Sequence, residues 1–91
     1  MEMIFTDEAK RDLEWWQKSG KVAVLKRIRS LIESMLQSPF EGIGKPEPLK
    51  YNLSGKWSRR ITEKDRLVYE VKEELIIIHM LRGHYLSLIH I

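Results

Sequence analysis

Residues 57–71, WSRRITEKDRLVYEV, decide the fold. Trp57, Ile61, Leu67, Tyr69 and Val71 are all odd-numbered, whereas Ser58, Arg60, Thr62, Arg66 and Glu70 are all even. Side chains alternate between faces along a strand, so this pattern predicts two strands joined by a turn at Glu63-Lys64-Asp65, each with one apolar and one polar face. If the hairpin pairs odd with odd, one face is core and the other carries Arg60 and Arg66 together. A slip of one residue would scramble both faces. Arg59 is the exception, a cation on the apolar side.

Beyond this hairpin, Lys72 to Glu74 form another tight turn. Leu75 to Leu81 is then apolar at both parities except for His79, as expected of an inner strand covered on both faces, with His79 in the core or half-buried. Gly83 interrupts the run and sets His84 and Tyr85 just past the strand end, where loops commonly carry function. Upstream of the hairpin, Asn52 to Gly55 supply turn chemistry. Pro39 to Pro48 hold three prolines and two glycines in ten residues and read as a loop. Within it Pro46 and Pro48 flank Glu47, biasing its backbone toward an extended shape and its carboxylate toward a restricted direction.

The N-terminal half reads as support. Met1, Met3 and Phe5 alternate with Glu2 and Ile4 as a short opening strand. Thr6 is a helix N-cap, Asp7 and Glu8 favour the positive end of the helix dipole, and Ala9, Leu13 and Trp16 recur at helical spacing. Trp15 and Trp16 are expected to pack against the sheet rather than form a ligand platform. Ser19 and Gly20 break this helix. A second follows to about Gln37, with Val24, Leu25, Ile28, Leu31, Ile32, Met35 and Leu36 as its apolar stripe and Pro39 as its stop. Lys26, Arg27 and Arg29 belong to its solvated side. The short connection makes the pair an antiparallel helical hairpin.

Ninety-one residues with 43% hydrophobic content make one folded domain with room for one site. The chain has no cysteine, which excludes disulfides and thiolate metal sites and fits a reducing compartment. Met1 to Phe5 is too short and too acidic for a signal peptide, and the longest apolar run, Leu75 to Ile78, is far below membrane-spanning length. A cytoplasmic protein without membrane contact is expected. No spacing of His with Asp or Glu makes a metal site, and no cofactor is called for. The net charge of +3 is concentrated: residues 44–72 hold eight Lys and Arg against four acids, residues 1–43 hold seven of each sign, and residues 73–91 sum to −1. A basic segment of this kind points to a polyanionic partner.

The segment GIGKPEPLKYNLSGKWSRRITEKDRLVYEV (residues 42–71) and the closing His84-Tyr85 resemble the YoeB/Txe family of bacterial toxin endoribonucleases, within the RelE/ParE-like superfamily. The PEPLK turn, the SRRI strand, the RLVY strand and the HY ending stand in the family's order and spacing, and the resemblance covers residues 1–85. It implies an α+β, RelE-like and microbial-RNase-like domain, two N-terminal helices on a twisted, mostly antiparallel sheet. It also implies a toxin that cleaves mRNA in the ribosomal A site and is neutralised by a cognate antitoxin, and leaves a homodimer open. Carried over by position, it makes Glu47 the general base, Arg66 the electrostatic clamp and His84 the general acid, with Lys50 and Arg60 positioning phosphate and Tyr85 stacking or orienting a base. Leu86 to Ile91 run past the point where family members end. They read as a tail outside the domain, with the look of a translated adapter sequence. Two other functions remain on the same scaffold: a ParE-like toxin that poisons a DNA gyrase, told apart by gyrase-dependent DNA damage, and a non-catalytic RNA-binding module, told apart by salt-sensitive binding without cleavage.

Overall fold

The computed structural model describes residues 1–84. In chain order they form β1 (Glu2–Phe5), α1 (Asp7–Lys18), α2 (Val22–Gln37), β2 (Glu47–Pro48), a 3-10 turn (Tyr51–Leu53), β3 (Lys56–Arg60), β4 (Arg66–Lys72) and β5 (Leu75–Met80). The strands make one sheet in the order β1-β5-β4-β3-β2, parallel between β1 and β5 and antiparallel elsewhere. This is the expected α+β architecture. It follows from where the helices fall: a helical hairpin between β1 and the rest lets the chain cross over and bring β5 back alongside β1 in parallel.

The Thr6 hydroxyl accepts the Ala9 N–H at 3.2 Å, so α1 starts at the expected cap. Ala9 and Trp16 of α1 and Ile28, Leu31 and Met35 of α2 are buried against Ile61, Leu67, Tyr69, Ile76, Ile78 and Leu81 of the sheet. Each such side chain removed from water is worth about 1.5–3 kcal/mol, so this single layer supplies most of the hydrophobic stabilisation. Trp16 also donates its indole N–H to the Leu81 carbonyl at 2.8 Å. Trp15, its neighbour in sequence, is 41% exposed, and the Arg82 guanidinium lies 3.7 Å from the centre of its ring. The adjacent tryptophans therefore do different things.

The β3–β4 register pairs Trp57 with Tyr69, Arg59 with Leu67, Ser58 with Val68 and Arg60 with Arg66, odd with odd and even with even. The odd face meets the helices. The even, outer face carries a smaller apolar cluster, Leu49, Leu53, Val68 and Met80, roofed by the 3-10 turn. Between β4 and β5 the register shifts: Tyr69 pairs with Ile78 but Val68 with Met80, leaving His79 as the extra residue of a bulge. Ile78 thus joins the inner core, Met80 the outer cluster and Leu81 the inner core again. His79 is half-buried, its Nε2 2.9 Å from Glu70 Oε1.

Arg59 is fully buried, and among the described residues its partners are hydroxyls and carbonyls rather than a carboxylate. Its Nη1 donates to Ser34 Oγ (2.8 Å) and the Ile43 carbonyl (3.1 Å). Its Nη2 donates to the carbonyls of Ser38 (2.8 Å) and Glu41 (2.7 Å), and its Nε to the Tyr69 hydroxyl (3.2 Å). Tyr69 in turn donates to the Pro39 carbonyl at 2.6 Å, and burial pushes its phenol above the ordinary value despite the guanidinium beside it. One cation therefore gathers the loop after α2 and anchors it to β3. The loop then turns at Gly44, whose φ of +85° and whose hydrogen-side clearance both require glycine: a Cβ there would lie 2.6 Å from Leu31 Cδ2.

Candidate active site on the outer sheet face

The site residues are placed by backbone hydrogen bonds. Arg60 N–H donates to the Gly44 carbonyl at 2.7 Å, and Arg66 N–H donates to the Gly83 carbonyl at 2.8 Å. Both amides point away from one another, so Arg60 and Arg66 are a directly opposed pair without mutual backbone hydrogen bonds, the kind whose Cα atoms come within about 4.5 Å. Gly44, Arg60, Arg66 and Gly83 thus make one row across the sheet. The next row on the same face is Glu47, Ser58, Val68 and Met80.

Glu47 consequently lies on the Gly44 side of the arginines, with its Cα roughly 8 Å from that of Arg60, one strand across and two residues along. It is exposed, and it sits in the two-residue strand β2 rather than in an irregular loop. Gly83 lies about one strand spacing, roughly 5 Å, beyond Arg66 on the other side, and His84, half-buried, follows it directly in the chain. The row therefore brings Arg60 and Arg66 together and sets Glu47 and His84 on opposite flanks of them. Lys50 is exposed at the head of the 3-10 turn and is not part of either row. Tyr85 lies outside the described residues, as do Leu86 to Ile91.

Among the described residues, four buried side-chain atoms have no hydrogen-bond partner: Ser58 Oγ, Arg60 Nε, and Arg66 Nε and Nη1. All belong to adjacent positions on this face. Like charges directly opposed across a strand pair are destabilising, and a buried donor without a partner costs about 1–3 kcal/mol. Such an arrangement suits an anion that accepts from both guanidinium groups. A phosphate is the matching shape for planar, forked donors. The opposite end of the same face has an acid among its cations. The Glu70 carboxyl is held below its ordinary value chiefly by its hydrogen bond with His79, with partial burial opposing and Lys72 and Lys56 adding to the effect. The buried, partnerless cationic donors on this face belong to the Arg60–Arg66 end.

Arg59 departs from the sequence-based picture of a basic surface, since its charge is spent inside the loop and never reaches solvent. Its only sequence signal was its odd position among apolar residues. Ser58 is fully buried on this face, which its place among the polar positions of the strand does not reveal. Among the described residues, no group of three or more His, Asp or Glu side chains is arranged to hold a metal ion.

The family model for YoeB-like toxins of bacterial type II toxin-antitoxin systems matches residues 5–85. The Escherichia coli K12 protein named toxin YoeB is 49% identical over 85 residues, covering 93% of this chain and all of the relative. A solved YoeB/ParE toxin from Agrobacterium tumefaciens superimposes with a TM-score of 0.89 at 38% identity, covering 93% of this chain and all of that one. A Staphylococcus aureus YoeB, solved as a dimer and in complex with YefM, gives a TM-score of 0.84 at 38% identity, with 93% and 98% of the two chains covered. The class is therefore a toxin of a bacterial type II toxin-antitoxin system. Within that class, the chain belongs to the YoeB-like family.

Proposed function

We propose that this toxin is an endoribonuclease that cleaves mRNA in the ribosomal A site. The observation that carries the reading is the opposed Arg60–Arg66 pair with its partnerless buried nitrogens, flanked by Glu47 and His84. RNA contains its own nucleophile, so a base, an acid and a cationic clamp suffice for strand scission. Glu47 takes the proton from the ribose 2′-hydroxyl, and the 2′-oxygen attacks the adjacent phosphorus. Arg66, with Arg60 beside it, stabilises the negative charge that builds on the non-bridging oxygens. His84 protonates the departing 5′-oxygen. The products are a 2′,3′-cyclic phosphate and a 5′-hydroxyl, and no metal takes part. Lys50 positions a neighbouring phosphate, and Tyr85 stacks on or orients a base at the cleavage site.

Action on the ribosome makes the cytoplasm the working compartment. The complex of the Staphylococcus aureus relative with YefM supports a protein antitoxin as partner here, and the dimer of that relative supports self-association. The test is cleavage by the purified protein on translating ribosomes, with the ends of the products identified. Cyclic phosphate and 5′-hydroxyl ends are expected, and Glu47→Gln and His84→Gln should each slow cleavage by about 10²- to 10⁴-fold. Unchanged rates in either variant would remove its assigned role, and gyrase-dependent DNA damage without RNA scission would overturn the reading.

A further inference from the structure

The segment that delivers His84 is fastened residue by residue, and its last fastening comes from a side chain with no role in the chemistry above. Leu81 is held at both backbone groups: its N–H donates to Asp12 Oδ2 at 2.9 Å, and its carbonyl accepts from Trp16 Nε1 at 2.8 Å. Arg82 is stacked on the exposed ring of Trp15. Gly83 is again held at both groups. Its N–H donates to Asp65 Oδ1 at 2.8 Å, and its carbonyl accepts from Arg66 N–H, also at 2.8 Å. The second Asp65 oxygen is fixed in turn, because Oδ2 accepts from the Thr62 hydroxyl at 2.7 Å. That hydroxyl accepts the N–H groups of Lys64 (3.1 Å) and Asp65 (3.0 Å).

The bonding pattern holds the backbone on both sides of the turn that precedes His84. Gly83 has a φ of +83°, so the chain turns sharply immediately before His84, and a glycine is free to turn elsewhere unless something holds it. Asp65 supplies that hold from the residue adjoining Arg66. The β3–β4 turn thereby fixes the clamp and the acid from one rigid motif. We infer that Asp65, braced by Thr62, is the positioning residue for His84, fixing the Gly83 backbone so that the imidazole is held in register with Arg66. The inference rests on the proposed role of His84 as general acid. A misplacement of about 1 Å in a catalytic group can lower the rate by about 10²-fold, so a backbone latch of this kind has measurable consequences.

Steady-state cleavage of ribosome-bound mRNA, with folding followed by thermal denaturation, provides the test. Asp65→Ala should lower kcat by about 10- to 100-fold with KM unchanged. Asp65→Asn keeps an acceptor for the Gly83 N–H and should retain most of the activity. In a His84→Gln background, Asp65→Ala should cause no further loss, because a residue acting through His84 has nothing left to position. Should Asp65→Ala fail to fold, Asp65→Glu replaces it: the charge is kept, the acceptor is displaced by one methylene, and kcat should fall in the same direction. Undiminished kcat in a folded Asp65→Ala or Asp65→Glu protein, or a full additional loss on the His84→Gln background, overturns the inference. If His84→Gln itself cleaves normally, it is the functional reading that fails. If His84→Gln is crippled and Asp65→Ala is not, only the latch fails.

Discussion

At the scale of single residues, the role proposed for Arg66 sets function against stability on the outer face. Its Nε and Nη1 are buried without partners, and Arg60 stands directly opposite. Arg66→Met should therefore stabilise the free protein by about 1 kcal/mol, raising the thermal midpoint by about 4–8 °C, while abolishing cleavage. A structural arginine would give the reverse, and calorimetry alongside an activity assay separates the two. Glu70 behaves in the ordinary way. Its folded carboxyl titrates below its ordinary value of 4.5, so its ionised form stabilises the fold; the contribution is complete above that value and is lost as pH falls through the depressed one. Thermal midpoints measured down an acid series should show the wild type ahead of Glu70→Gln at neutral pH and the gap closing below about pH 4.5.

At the scale of elements, the loop between α2 and β2 depends on Arg59. Arg59→Met leaves the carbonyls of Ser38, Glu41 and Ile43 without their buried donor, and each buried acceptor left unsatisfied costs about 1–3 kcal/mol. Denaturant unfolding should register that loss, and limited proteolysis should find the first new cut between residues 38 and 46. This dependence was invisible in the sequence because the partners are backbone carbonyls, which every residue possesses. The β3–β4 hairpin was the opposite case: Trp57, Ile61, Leu67 and Tyr69 alternate so strictly with Ser58, Arg60 and Arg66 that the pairing could be read directly. The bulge at His79 left no trace, since Leu75 to Leu81 is apolar at both parities and a shift of face swaps one hydrophobic residue for another. The short strand at Glu47 was hidden by its flanking prolines, which remove the amides that normally mark a ladder.

At the scale of the molecule, the sheet divides its labour between its two faces. The inner face binds the helices through Leu67, Tyr69, Ile76 and Ile78, and the outer face carries the charge. Leu67→Ala should cost about 2–5 kcal/mol of stability while leaving the cleavage rate per folded molecule unchanged. The candidate base and acid were found from the family's pattern; what only the fold supplies is the row of backbone hydrogen bonds that sets them on either side of two arginines. The central claim is that Glu47 takes the proton from the 2′-hydroxyl whose oxygen attacks the phosphorus, and that His84 gives a proton to the leaving 5′-oxygen. The most direct test is the single-turnover cleavage rate of mRNA carrying sulfur in place of that 5′-oxygen, a leaving group that needs no proton. The account predicts that this substrate restores His84→Gln to near the wild-type rate and leaves Glu47→Gln impaired; failure to rescue His84→Gln, or equal rescue of both, would contradict it.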